Sequence, residues 1–203
     1  MFSGKIEDYI LFEDKEIIVC RKPAGIAVQN ARIGAMDLES SLKNYLAMQA
    51  SGGRRIPYLA VTYGKQAEAG KKEKVLEDYL KKDGKSNTSS VVNAHTPGAK
   101  KARLSYEVLG EAVDEISGKK KWLLRIHLDT GRHHQIRVQM AHAGMPLAGD
   151  RKYGAGTNVT IGAGSLALCA ASLTFFHPVT GKVMKFVTKP EGTEFKGISI
   201  PQM

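Results

Sequence analysis

Apolar positions along this chain fall mostly into short alternating runs, with helical spacing in only a few places. From residue 9 to 20, YILFEDKEIIVC outlines a hairpin: Ile10 to Phe12 and Ile17 to Cys20 are apolar, and EDKE between them is a polar turn. Asp37 has the chemistry of a helix cap. After it, Leu38, Leu42, Tyr45 and Leu46 share one side of a predicted helix that runs to Met48. Residues 57–63, PYLAVTY, predict a strand; Gly64 to Lys74 is polar and reads as exposed. Val75 to Leu80 predicts one or two helical turns, and Asp83 to Val92 a turn and loop. Leu104, Tyr106 and Val108 alternate in a strand over 102–109. A charged hairpin turn over 111–121 leads into Trp122 to Leu128, where Leu124, Ile126 and Leu128 share a face. A helix is predicted from Arg132 to about Ala143, closing on Gly144 and Pro146. Leu166 to Phe176 reads as a strand buried on both faces. HPVTGK is a turn, Val183 to Val187 pairs back, and the tail from Pro190 is extended. Sequential strands with few helices imply an α+β fold: a mostly antiparallel mixed sheet with a few flanking helices, in a single domain over 1–203.

The stretch Leu128 to Gly154 carries the chemistry. Thr130-Gly131 supplies a cap-like residue and a glycine suited to positive φ. Strand, tight turn and helix bring a helix start, with its orphaned N–H groups, to the end of a sheet strand, which favours anions. Arg132, His133, His134, Gln135 and Arg137 crowd the first two turns. Arg137 shares a face with His133 and Ala141 and lies beside the apolar pair Ile136 and Met140. An arginine sent inward meets a carboxylate or a phosphate; a solvated basic helix is the plainer alternative. Paired histidines invite a metal reading, but neighbours on a helix face apart and no Cys or acid cluster completes a site, so no metal is expected.

Composition narrows the partner. Thirty Lys and Arg against twenty Asp and Glu give +10, which suits a polyanion, nucleic acid first. Cys20 and Cys169 are too few for a disulfide scaffold and read as reduced core residues. No apolar run is long enough to cross a bilayer and Met1 opens no signal-peptide layout, so a cytoplasmic protein without a membrane partner is expected. The sequence specifies no oligomeric state.

The string GRHHQIRVQMAHAGMPLAGDRKYG resembles the G-R-x-H-Q-I-R…H-P-L-x-G-D-x-x-Y-G signature of RluA-type RNA pseudouridine synthases. EDKEIIVCRKPAGIAVQ resembles that family's E-D-x-x-x-x-V-x-K-P-x-G-x-x-V motif, with Lys22, Pro23 and Gly25 matching its loop. The likeness covers almost the whole length. It implies isomerisation of uridine to pseudouridine in rRNA or tRNA, on a base flipped out of its stack, without a cofactor. It also implies an essential aspartate, an arginine that pairs with it, and a tyrosine stacked on the uracil. Arg137 matches the pairing arginine, and Tyr58 is the candidate for the tyrosine. Lys22, Arg132, His133 and Gln135 are the expected RNA contacts, with Gln135 and Ile136 also supporting the site.

One segment departs from the pattern. The family's aspartate lies in an H-R-L-D-x-x-x-x-G stretch between the two motifs, and this sequence has none. Tyr58-Leu-Ala-Val61 runs straight into Thr62-Tyr63-Gly64-Lys65, fusing two flanks that family members keep apart. This reads as an internal deletion near 58–65. Among other acids, Asp37 reads as a cap, Asp129 as able to approach Arg137, Asp150 as loop structure, and Asp78 and Asp83 as exposed. Two readings follow: a pseudouridine synthase whose catalytic segment is missing, or an inactive RNA-binding module that keeps the basic cleft. A basic globular domain without an RNA role is the third.

Overall fold

The computed structural model describes residues 6–14, 17–22, 57–64, 73–115, 117–154 and 165–201. Pro23 and Gly25, the helix expected over 38–48 and most of the polar stretches 64–74 and 154–164 lie outside them. The chain divides into two compact units, one of residues 1–55 with 173–188 and one of 56–172 with 189–203.

In the smaller unit, β1 (Ile10–Glu13) and β2 (Ile18–Cys20) form the expected antiparallel hairpin. β9 (Ser172–Phe176) and β10 (Val183–Val187) form a second. Ile17, Val19 and Phe175 are buried, with Phe12, Leu173, Met184 and Phe186 packed against them. His177 locks both turns. Its Nε2 lies 2.8 Å from Asp14 Oδ2, and its Nδ1 accepts the backbone N–H groups of Val179 and Thr180.

The larger unit is a six-stranded sheet in the order β5-β4-β6-β7-β3-β8, every neighbouring pair antiparallel. Its strands are β3 (Tyr58–Thr62), β4 (Lys74–Asp83), β5 (Thr88–Val92), β6 (Lys100–Val113), β7 (Lys120–Leu128) and β8 (Leu168–Ala170). Alternation sorts their side chains. Ala60, Leu104, Tyr106, Trp122, Leu124 and Ile126 face one side, where Ile136 and Met140 of α1 (Gln135–His142) cover them. Leu59, Val61, Tyr63 and Leu123 face the other, under Phe195 and Ile198. Each such buried aliphatic contributes roughly 2 kcal/mol relative to exposure.

Four expectations change. Val75 to Leu80 is strand, not helix: β4 is bonded to β6 along 74–80 and to β5 along 79–83, and these pairings override its helix-like spacing. The stretch 83–92 is loop only at its tip. There Asp83 accepts Lys85 N–H and the Ser86 hydroxyl, Asn87 takes φ 50°, and the Ser-rich end forms edge strand β5. Residues 166–176 are two strands in different sheets. They part at the fully buried Ala171, whose N–H bonds to Pro57 O. The tail packs rather than extends, through a 3-10 turn at Thr193–Phe195.

Candidate nucleic-acid interface

The turn after β7 is pinned to β6. Asp129 and Thr130 N–H both donate to Arg103 O, and Thr130 Oγ1 accepts Arg103 N–H at 2.9 Å. Gln135 completes the turn from inside. It is buried, its Nε2 donates to Arg103 O at 3.0 Å, and its Oε1 accepts the Thr130 hydroxyl and Arg132 N–H. Arg132 Nε donates to Lys101 O at 2.9 Å. The left-handed residue is His134, with φ 54° and ψ 25°, and not Gly131; α1 therefore begins at Gln135, three residues later than the spacing suggested. Gly144, with φ 78°, ends the helix as expected.

Arg137 finds its acid within the same motif. Its Nε donates to Asp150 Oδ2 at 2.8 Å and its Nη2 to Oδ1 at 2.7 Å, a bidentate pair. The Asp150 side chain is 0% exposed and that of Arg137 17%. Asp150 Oδ1 also accepts the N–H groups of Lys152 and Tyr153. Burial alone would raise this carboxyl. The Arg137 guanidinium and the two backbone donors outweigh burial and hold it below the usual range. The Arg137 guanidinium also sits 4.9 Å from the Tyr153 ring centroid. Asp129 does not approach Arg137; it pairs with Arg103 at 2.6 Å. Asp78 is not exposed either: it faces α1, accepting from Gln139 Nε2 and lying 3.2 Å from His142 Nδ1.

His133 and His134 do not face apart. With His134 left-handed, the helical offset between neighbours disappears, and the rings lie against each other, tilted by 32° with centroids 3.8 Å apart. His133 Nδ1 is 2.9 Å from Ser89 Oγ, and His134 Nδ1 is 2.8 Å from Tyr153 Oη. Tyr153 Oη accepts Ser89 N–H at 2.9 Å and shares its second hydrogen bond with His134 Nδ1. Burial first, then Arg137, His133 and Lys152, push His134 down to about 4; Asp150 opposes them. Burial, Lys82, Lys152 and Arg137 lower His133. Both rings are neutral at pH 7.

Tyr58 opens β3 opposite Ile126 and Ala170, half-buried on the sheet face that α1 covers. Burial raises its phenol. Lys22 follows β2 in the smaller unit and is exposed. Sequence reasoning missed Ser89, Lys82 and Tyr153 as neighbours of the histidines. Tyr153 was in view as a motif letter, but Ser89 lay in a stretch without strand signals.

Known proteins resemble this chain in sequence and in fold. A family model described as RNA pseudouridylate synthase matches residues 51–142. The uncharacterized RNA pseudouridine synthase YjbO of Bacillus subtilis is 33% identical over 167 residues, 82% of this chain and 51% of that protein. The ribosomal large subunit pseudouridine synthase C of Escherichia coli is 30% identical over 215 positions, 89% of this chain and 66% of that protein. The chain thus spans between half and two thirds of the length of these two relatives. Among solved structures, the human RNA pseudouridylate synthase domain containing 4 superposes with a TM-score of 0.67 at 17% identity, covering 97% of this chain and 96% of that one. Family model and relatives agree: the chain belongs to the RluA-type RNA pseudouridine synthase family.

Proposed function

We propose that this protein works on RNA, isomerising uridine to pseudouridine in rRNA or tRNA, with an essential aspartate from an H-R-L-D segment that these 203 residues do not contain. The chain as it stands is then the RNA-gripping remainder of that site. The reaction breaks a C–N glycosidic bond, turns the base and forms a C–C bond, so the uridine must leave its stack for a pocket. Tyr58 is the candidate to stack on the extruded base. Lys22, Arg132 and His133 serve phosphate contacts, and Gln135 serves through the backbone it holds.

The Arg137–Asp150 pair carries this reading. A reacting carboxylate needs a free oxygen within hydrogen-bond reach of the substrate. Asp150 has none: both oxygens are engaged and its side chain is fully buried. Its role is structural, and the acid for chemistry comes from elsewhere. The alignment with the Escherichia coli enzyme leaves room for such a segment. It runs over 215 positions but takes up only 89% of a 203-residue chain, so about thirty positions belong to the relative alone.

Tritium release from RNA carrying 5-tritiated uridine tests the proposal. The 203-residue chain is expected to bind RNA in a low-salt shift assay and to release no tritium. Insertion of an H-R-L-D segment between Val61 and Thr62 is expected to give release. Release by the unaltered chain would overturn the missing-acid reading. Absence of RNA binding at low salt would overturn the RNA role itself.

A further inference from the structure

We propose that the adjoining imidazoles of His133 and His134 form a subsite for one backbone phosphodiester of an RNA strand, His134 donating from Nε2, and that the phosphate brings a proton with it. The inference rests on the RNA role proposed above and assigns it a place and a pH signature. Three observations support it. First, the Tyr153 hydroxyl engages His134 Nδ1 at 2.8 Å and leaves Nε2, which has no partner among the described residues, to meet a ligand. Second, His134 holds φ 54°, a strained conformation for a side chain of this size. Such strain persists where the surroundings enforce it and concentrates at working sites. Third, the charges around the pair are one-sided. Lys82 from β4, Lys152 from the loop after Asp150 and Arg137 from α1 all act against a proton on His133. Against them stands Asp150, which Arg137 already neutralises. Lys152 is held in place by its bond to Asn87 O at 2.9 Å.

With Arg137 and Asp150 offsetting each other, two neutral rings beside Lys82 and Lys152 lack one thing, a negative charge. A phosphodiester supplies it, accepts the Nε2 hydrogen, and offsets the field that keeps the rings neutral. One imidazole then takes up a proton, giving a charge-assisted hydrogen bond in place of a neutral one. Binding and protonation are linked, so affinity must rise as pH falls. The sign follows from direction. The free ring titrates near 4, the phosphate-bound ring higher, and between those values each step toward acid favours the bound state.

Nitrogen-15 imidazole spectra of the full chain test this, recorded across about pH 3.5 to 8 with and without a uridine-rich single-stranded RNA oligonucleotide at low salt. RNA is expected to raise the titration midpoint of one of the two rings by about 2 units or more. Affinity is expected to rise severalfold between about pH 7.5 and 5.5. His134→Asn suits the left-handed backbone but carries no proton. It should bind ~10-fold more weakly and lose the pH slope. His142→Asn, at the far end of α1, should keep the slope. RNA binding that leaves both imidazole midpoints unmoved would overturn the subsite and leave the RNA role standing. So would a His134→Asn variant with unchanged affinity and slope. No RNA binding at any pH would sink both.

Discussion

Replacing Asp150 by asparagine removes one charge from the Arg137 pair at nearly constant volume. The pair is bidentate, at 2.7 and 2.8 Å, with the acid fully buried and the base 17% exposed. Removing one member of a buried pair costs about 3–5 kcal/mol, because the other charge is left uncompensated. Two features put this case at the low end: asparagine keeps one acceptor, and Arg137 retains some water. The expected cost is about 3 kcal/mol. On a chain of this size that is a drop in Tm of about 6–12 °C. Urea denaturation at pH 7 measures it directly, and a cycle with Arg137→Met separates the pairwise coupling from the loss of each group. The double variant should recover much of the loss of the single ones.

The pH dependence gives a second check on the same pair. The folded state holds the Asp150 carboxyl below its ordinary range. Its contribution is therefore fully present above the unfolded value of about 4 and fades as pH falls through the lower folded value. The gap between the parent chain and Asp150→Asn should stay constant from about pH 5 to 8 and shrink below about 4. A cost under ~1 kcal/mol at pH 7, or a gap that persists in acid, would refute the claim that Asp150 is Arg137's buried counter-charge.

The remaining expectations concern the seam where β3 ends. Gly64 holds φ 114°, and a Cβ there would lie 2.1 Å from Gly144 O, so Gly64→Ala should destabilise by about 3 kcal/mol or more, read as a lower urea midpoint. Thr62 Oγ1 is buried with no hydrogen-bond partner among the described residues, so Thr62→Val, nearly isosteric, should raise stability by about 1 kcal/mol. Tyr63 donates toward Asp114 at 2.9 Å and Glu194 at 3.2 Å, tying the C-terminal turn to the sheet. Tyr63→Phe should cost about 1–2 kcal/mol and speed proteolysis of the tail after residue 189.

What the sequence made legible follows from how locally each feature is determined. β7 and α1 could be read because one face of each meets the core, so their periodicity is the burial pattern itself. β4 could not, since its identity comes from partners on both sides, the farther of them some thirty residues away in β6. β5 was hidden further, because an edge strand carrying two serines has no alternating face to reveal it. The same divide runs through the site. The residue types at its centre were visible, whereas the partner of Arg137, the contact between the imidazoles and the positive φ of His134 depend on how the 150–154 loop returns to the helix start.

That return changes what the motif letters mean. An arginine directed inward demands an anion, a carboxylate or a phosphate, and the family resemblance points to the essential aspartate. The anion is Asp150, thirteen residues on in the same motif. Gln135 is spent on the turn before the helix, Tyr153 on His134 and Ser89, Asp150 on Arg137 and two backbone N–H groups. The letters of G-R-x-H-Q-I-R and G-D-x-x-Y-G thus mostly bind one another, building a rigid clamp from a helix start and a loop. A clamp of this kind leaves few groups to meet a ligand, and the two imidazoles are among them. If uridine chemistry occurs beside it, the acid must arrive on another segment. Inserting one at 61–62, while leaving Asp150 and Arg137 untouched, is the change that should turn binding into turnover.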